Sequence, residues 1–435
     1  MIEQREPVPT VGFIDQYCQA YRHLFGDVRS FEEFKFLHVG MLSELPRKTL
    51  PAIAKLVGLQ NAQSLHHFLR DGVWELEQLR VARLSLIQHA IGQRRMMLCI
   101  DETGDVKKGQ ATDYVAKQYI GNIGQTANGI VSVNAYAVVD ELTYPLVFKI
   151  FKPKSRLKSD DSYKTKPQLA IEILQEVKAL GFHVELVLAD SLYGESGDVI
   201  RTIEQLGWTY IVAIRSNHGV LVGPGQRVRY NRWRAYDQPL VGHPTEQRHI
   251  REIIFGARRK TRYFQITKGA TAMPEQADSW FIMTNLPGDI LRLPGLYTLR
   301  TWIEYGFKQV KNELGWADFR LTAYPSIERW WEIVFCAYLL VTLHAQSFKF
   351  NATETQADES ELESSFTEHQ RWEDGITWKS ALNNLRLLLQ PYLCWAALAR
   401  WLEVFAIPGL KRSLLKLMHK IDHFRIVPLL QVQAA

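Results

Sequence analysis

Three acidic residues far apart in the chain, Asp101, Asp190 and Glu304, have the types and settings that phosphoryl-transfer chemistry needs. Asp101 follows the apolar run Met96 to Ile100, and Asp190 follows the apolar run Val184 to Ala189. A buried strand ending on a carboxylate delivers that carboxylate to the rim of a sheet. Glu304 belongs to the spacing Y-x2-R-x3-E-x6-K formed by Tyr297, Arg300, Glu304 and Lys311. On one helix at ~100° per residue these four side chains fall within an arc of roughly 60°. A carboxylate flanked by two cations suits a metal ligand beside a phosphate. Magnesium takes hard oxygen ligands, and two such ions about 3.5–4 Å apart activate an attacking oxygen and stabilise a departing one. The reading is therefore a two-metal site with Asp101, Asp190 and Glu304 as ligands.

Other carboxylates stand nearby. Glu102 and Asp105 remain alternatives to Asp101, and Glu195 and Asp198 remain weaker alternatives to Asp190. A lone Asp at a strand end is also an ordinary helix cap, and Glu304 on a helix is also an ordinary solvated Glu paired with Lys308 or Arg300. The helix bearing Glu304 is expected from Pro294 and Gly295 at its start to Gly315 at its end, with Ile303, Phe307, Val310 and Leu314 as its buried stripe and Gly306 as a local weakness.

These residues need a scaffold, and the chain offers one in order. Residues 1–92 read as helical, with Leu50–Gly58 and Ala62–Leu69 as two short helices joined tightly. That pair is either a helix-turn-helix reader of DNA presenting Gln63, His66, His67 and Arg70, or part of a plain helical bundle. Residues 93–215 alternate as three strands, helix, strand, helix, strand. Residues 216–295 read as a β-rich insertion, 296–348 as the resumed core, and 349–435 as an acidic linker followed by a helical tail.

At 435 residues, with 46% hydrophobic and 11% aromatic content, the chain folds as more than one structural unit. Its net charge is +6, although residues 351–374 alone hold eight Asp or Glu against one Arg. The remaining basic body suits a polyanion. Cys18, Cys99, Cys336 and Cys394 form no C-x-x-C pair and read as reduced, buried thiols, which points to the cytoplasm. The first ten residues lack an apolar signal core, and Ile333 to Leu343 is too short to span a bilayer, so no membrane association is expected. His183, His218 and His243 lack metal-ligand spacing. No P-loop, dinucleotide glycine pattern or nucleophile elbow occurs, which sets aside ATP, NAD and serine-hydrolase chemistry.

Two basic clusters interleave with aromatics or stand alone: Arg227, Arg229, Arg232 and Arg234 with Tyr230, Trp233 and Tyr236, and then Arg258, Arg259, Lys260 and Arg262. With Lys107 and Lys108 they offer cations for phosphates and rings for exposed bases. Trp302 could stack a displaced terminal base.

Together these motifs resemble the bacterial insertion-sequence DDE transposases that carry the Tyr-Arg-Glu-Lys signature. Tyr297, Arg300, Glu304 and Lys311 match that signature without a gap, and Asp101-Glu-Thr-Gly-Asp-Val-Lys107-Lys108-Gly109 and Ala-Asp190-Ser-Leu-Tyr193-Gly194 resemble the first and second acidic motifs. The likeness runs roughly from Arg95 to Leu343. It implies an α/β, RNase H-like catalytic core split by a β-rich insertion, with a helical DNA-binding N-terminus and a helical C-terminal tail. It also implies two Mg2+ ions, replaceable by Mn2+, held by Asp101, Asp190 and Glu304. Arg300 and Lys311 would then hold phosphates and Tyr297 a phosphate or sugar. The implied partners are duplex DNA with terminal inverted repeats, target DNA and a second copy of the chain, in the bacterial cytoplasm at the nucleoid. Competing readings are an RNase H-like nuclease without strand transfer, a non-catalytic DNA-binding derivative and, more distantly, a glycosidase with paired carboxylates.

Overall fold

The computed structural model describes residues 5–240, 243–257, 259–354, 369–375 and 377–421. Most of the acidic stretch expected as a linker lies outside the described residues, as does Arg258. The chain is mixed α/β and divides into two compact units. One comprises residues 1–92, 111–113 and 307–435, and the other 93–110 and 114–306.

The first unit is helical. Its elements include α1 (Gly12–Gln19), α2 (Val28–Leu42), α3 (Leu50–Leu56), α4 (Gln63–Arg70), α5 (Leu76–Ile91), α11 (Tyr324–Glu354) and the helix Trp378–Val404. Local signals set several of the starts. Asp27 accepts from Ser30 N to cap α2, Thr49 accepts from Ala52 N to cap α3, and Thr377 with Ser380 forms a capping box. The core gathers around α11, whose residues Ile333 to Val341 are all buried. Trp331 of α11 stacks on Trp316 with ring centroids 4.2 Å apart. Glu332, also fully buried, accepts from Arg83 Nε at 2.6 Å and Arg80 Nε at 3.2 Å, both on α5. Removing the acid from such a cluster strands buried cations, at ~3–5 kcal/mol. On α4, Leu65, Phe68 and Leu69 face inward, whereas Gln63, His66, His67 and Arg70 are exposed, as the sequence suggests.

The second unit is built on one sheet. Its strands are β1 (Met96–Val106), β2 (Ala116–Ile120), β3 (Gln125–Val139), β4 (Leu142–Ile150), β5 (Val184–Ala189), β6 (Thr209–Ile214), β7 (Val228–Tyr230), β8 (Arg234–Leu240), β9 (His243–Phe255), β10 (Arg262–Thr267) and β11 (Ser279–Thr284). The order is β2-β3-β1-β5-β6-β11-β10-β9-β7, with β4 beside β3 and β8 beside β9. β3 lies between β1 and β4 and runs antiparallel to both, while β1, β5 and β6 run parallel. The parallel strands need crossovers, which α6 (Lys166–Ala179) and α8 (Gly197–Gln205) supply. α6 opens on a capping box between Thr165 and Gln168 with Pro167 in its first turn.

The structure adds three things to the sequence reading. The β-rich segment continues the sheet, because β11 pairs antiparallel with β6 from Phe281↔Ile214 to Thr284↔Ile211. β3 begins at Gln125, directly after the short turn Gly121–Gly124. Cys394 is exposed, which corrects the expectation of four buried thiols; Cys18, Cys99 and Cys336 are buried and free. Among the described residues no helix is long and apolar enough to cross a membrane.

Two buried histidines of the first unit make stability depend on pH. His38 Nδ1 lies 2.8 Å from Phe34 O and His344 Nδ1 lies 2.8 Å from Leu340 O, and burial pushes both down to about 4. The folded state excludes a proton that the unfolded chain binds below about pH 6.5. Stability from each neutral imidazole is thus full above pH 6.5 and declines as pH falls towards 4. Comparing wild type with His38→Gln cancels the other titrating groups. Between pH 7 and pH 5 the unfolding free-energy difference should shift by about 2 kcal/mol in favour of the variant. A pH-independent difference in urea unfolding would contradict this account of His38.

Candidate active site

β1 and β5 are paired only as far as Ile100↔Ala189. The next residue on each chain segment is an aspartate, so strand register alone makes Asp101 and Asp190 neighbours, about 5 Å apart in backbone spacing. Asp101 does not end its strand as expected. β1 continues to Val106 because β3 remains alongside, with Asp101↔Asn134 in register, while β5 stops and the chain turns into α7 (Ser191–Gly194). Asp190 Oδ1 accepts from Leu192 N at 2.9 Å, so this aspartate also caps that turn. Gly194 allows the turn to press on β6, since a Cβ there would lie 2.0 Å from Ala213 O.

The alternation of a strand separates the alternatives at the first motif. Asp101 and Glu102 point to opposite faces. Asp101 shares its face with Cys99, whose Sγ lies 3.7 Å from Leu299 O, whereas Glu102 Oε1 accepts from Lys166 Nζ of α6 at 2.8 Å. Asp105 is on the face of Asp101 but four residues on, about 13 Å away. At the second motif, Glu195 accepts from Arg215 N and from His218 Nδ1, and exposed Asp198 pairs with Arg201.

The Glu304 segment departs from a single helix. It folds as α9 (Leu293–Thr298) and α10 (Thr301–Asn312), with Pro294 in the first turn of α9. Through the junction the backbone bonds are of the three-residue type: Leu299 N to Leu296 O, Arg300 N to Tyr297 O, Trp302 N to Leu299 O and Ile303 N to Arg300 O. This tighter winding brings residues three apart into line and changes the angle between Tyr297 and Glu304 from that of one regular helix. Arg300 stands at the joint. Its Nη1 donates to Asp101 Oδ2 at 2.7 Å and its Nη2 to Glu304 Oε1 at 2.6 Å. Tyr297 packs against Trp280, and its hydroxyl reaches Ala189 O at 3.4 Å.

Electrostatics follow from this crowding. Burial pushes Asp101 up to about 7; Arg300 opposes the shift, and the neighbouring Asp190 carboxylate adds to it. Burial likewise raises Tyr297 to about 12. Tyr193, fully buried with no hydrogen bond to its hydroxyl, is raised by burial and then by the charges of Glu102, Asp101 and Asp190. Tyr193 and Asn134 line the acids and escaped the sequence reading as site residues. The signal for Asn134 was an amide inside the apolar run Ile130 to Val139.

The oxygen donors of Asp101, Asp190 and Glu304 have the hardness a divalent cation needs. Their spacing does not yet fit one. Among the described residues no three His, Cys, Asp or Glu side chains are grouped closely enough to hold a metal ion. Arg300 lies between two of the acids instead.

The expected DNA contacts are distributed. Lys107 and Lys108 follow β1 directly, and Lys108 is exposed. Arg232, Arg234 and Arg259 are exposed on the far part of the sheet. At 4.7–4.9 Å per strand, the strands beside Arg232 and Arg234 are about 25–30 Å from β1. Trp302 is half-buried against Tyr305, with centroids 5.9 Å apart. Lys311 lies on α10 seven residues beyond Glu304, hence on the same helical face.

Gly306, read from sequence as a weakness, is a contact surface. A Cβ there would lie 2.8 Å from the ring of buried Tyr136 on β3, so the glycine lets α10 lie close to the sheet. An exposed helical Gly→Ala change stabilises by about 1 kcal/mol. Gly306→Ala should instead destabilise by about 1–3 kcal/mol through overpacking, and a second change, Tyr136→Leu, should recover part of the loss. A higher melting temperature for Gly306→Ala alone would refute the close approach.

Comparison with known proteins bears on what this site does. Residues 23–270 match the family model described as DDE superfamily endonuclease. That match ends before Glu304. The chain is also 49% identical over 359 residues, 82% of its own length and 94% of the relative's, to a Microchaete diplosiphon protein described as a probable transposase for insertion sequence element IS701. A match over more than half the chain and a near-full-length relative agree: the chain belongs to the DDE endonuclease superfamily, among its insertion-sequence transposases.

Proposed function

We propose that Asp101, Asp190 and Glu304 are the acidic triad at which this transposase cuts and joins DNA, and that it belongs to the Tyr-Arg-Glu-Lys group. The observation that carries the reading is the register Ile100↔Ala189, which brings Asp101 and Asp190 side by side, with Arg300 joining Asp101 to Glu304. The order of three antiparallel strands followed by two parallel ones supports an RNase H-like core, with residues 216–295 as its insertion.

Nucleases of this superfamily use divalent metals. We assign two Mg2+ ions, with Mn2+ as a substitute, to Asp101, Asp190 and Glu304. When bound, such ions supply Lewis-acid activation of the attacking oxygen and stabilisation of the leaving one. The protein's own groups do the rest. Arg300 and Lys311 neutralise the phosphates flanking the scissile bond, Tyr297 orients a phosphate or sugar, and Trp302 stacks a terminal base. At each element end, water oxygen attacks phosphorus and the phosphodiester opens to leave a 3′-hydroxyl. That hydroxyl then attacks a target phosphodiester, and one P–O bond replaces another.

The partners in this reading are terminal inverted repeats, target DNA and a second copy of the chain, in the cytoplasm at the nucleoid. Residues 1–92 serve as the DNA-binding region, with Gln63, His66, His67 and Arg70 of α4 turned to solvent. Lys107 and Lys108 take phosphates near the cut. Arg232, Arg234, Arg258 and Arg259 take phosphates further along. For Arg232 and Arg234, about 25–30 Å corresponds to roughly seven to nine base steps at 3.4 Å each.

Purified protein incubated with its own element's end duplex and Mg2+ should cut at the element boundary. Asp190→Ala should lower the rate by at least about 1,000-fold, or roughly 4 kcal/mol, while duplex binding is retained. Cutting by Asp190→Ala at a rate near wild type would remove the triad assignment.

A further inference from the structure

Arg300 bridges two of the three acids, Asp101 and Glu304. Its two terminal nitrogens are both engaged, Nη1 with Asp101 and Nη2 with Glu304. Its third donor, Nε, is buried and has no hydrogen-bond partner. A guanidinium with two arms on carboxylates and one buried donor unmet is not at its best arrangement, because a buried donor without an acceptor is destabilising. The same planar fork matches a phosphate, which can accept two donors at once. Asp101 and Glu304 are both turned towards Arg300.

We propose that Arg300 is a counter-ion lock: without DNA its guanidinium holds Asp101 and Glu304 and keeps them from a metal ion, and a DNA phosphate draws it away. This rests on the triad assignment above and adds to it a positioning role, in which DNA binding and metal loading favour each other. Reciprocity follows from linkage, since whatever DNA does for metal affinity the metal must do for DNA affinity. An unaccompanied protein would then carry little metal and stay inactive. The arginine's charge compensates the acids until ions replace it there.

The test measures metal binding directly, on the full chain, by titrating Mn2+ and following free ion by electron paramagnetic resonance. Without DNA, Arg300→Gln should bind Mn2+ at least about tenfold more tightly than wild type, a difference of 1.4 kcal/mol. Adding Asp101→Asn to Arg300→Gln should abolish the gain. Arg300→Lys, which keeps the charge but loses the fork, should fall between the two. Adding end duplex should tighten Mn2+ binding in wild type and do so much less in Arg300→Gln. Equal or weaker Mn2+ binding by a folded Arg300→Gln would overturn the lock. So would wild-type Mn2+ affinity that is indifferent to end duplex, a measurement that stands even if the variant fails to fold. Cutting of end DNA by the same wild-type preparation and its loss in Asp190→Ala test the triad independently, so the lock can fail while the function holds.

Discussion

A carboxylate held inside a protein beside another carboxylate is the constraint around which the second unit is organised. Asp101 and Asp190 are adjacent because two parallel strands end their pairing on the residues before them, and burial makes the charge of Asp101 expensive. Something positive must stand close. In the free protein that is Arg300, supplied from the joint between two short helices. The position of that joint in turn depends on Pro294 starting one helix, on three-residue backbone bonds across the junction, and on Gly306 lying against Tyr136.

Local rules explain which parts were legible from sequence. The strand Val184–Ala189 was readable to the residue because it is a short apolar run bounded by turn residues. The helix starting at Leu293 announced itself through proline. The outward face of α4 followed from simple periodicity. The aspartates were identifiable as a pair because each terminates an apolar run.

What escaped the sequence depends on partners distant in the chain. Nothing between Met96 and Val106 says that β1 outlasts β5; that is decided by β3, some thirty residues on. The break between Tyr297 and Glu304 is invisible to a count of helical turns, since both sides of it are helical and only the bonding changes. Gly306 looked like a flaw for the same reason: its justification is an aromatic ring on another strand. Tyr193 and Asn134 owe their interest to burial beside the acids. Cys394 sits in an apolar run yet on a helix whose outer face is open.

The joining of β11 to β6 has a further consequence. Without the strands of residues 216–295, the six residues of β6 would present unpaired amides and carbonyls along an apolar edge. Shortened versions that keep the acids but omit this segment would leave that edge open to pairing with another copy. The segment thus covers an edge of the sheet, and its presence constrains how small a working cutter of this kind can be made.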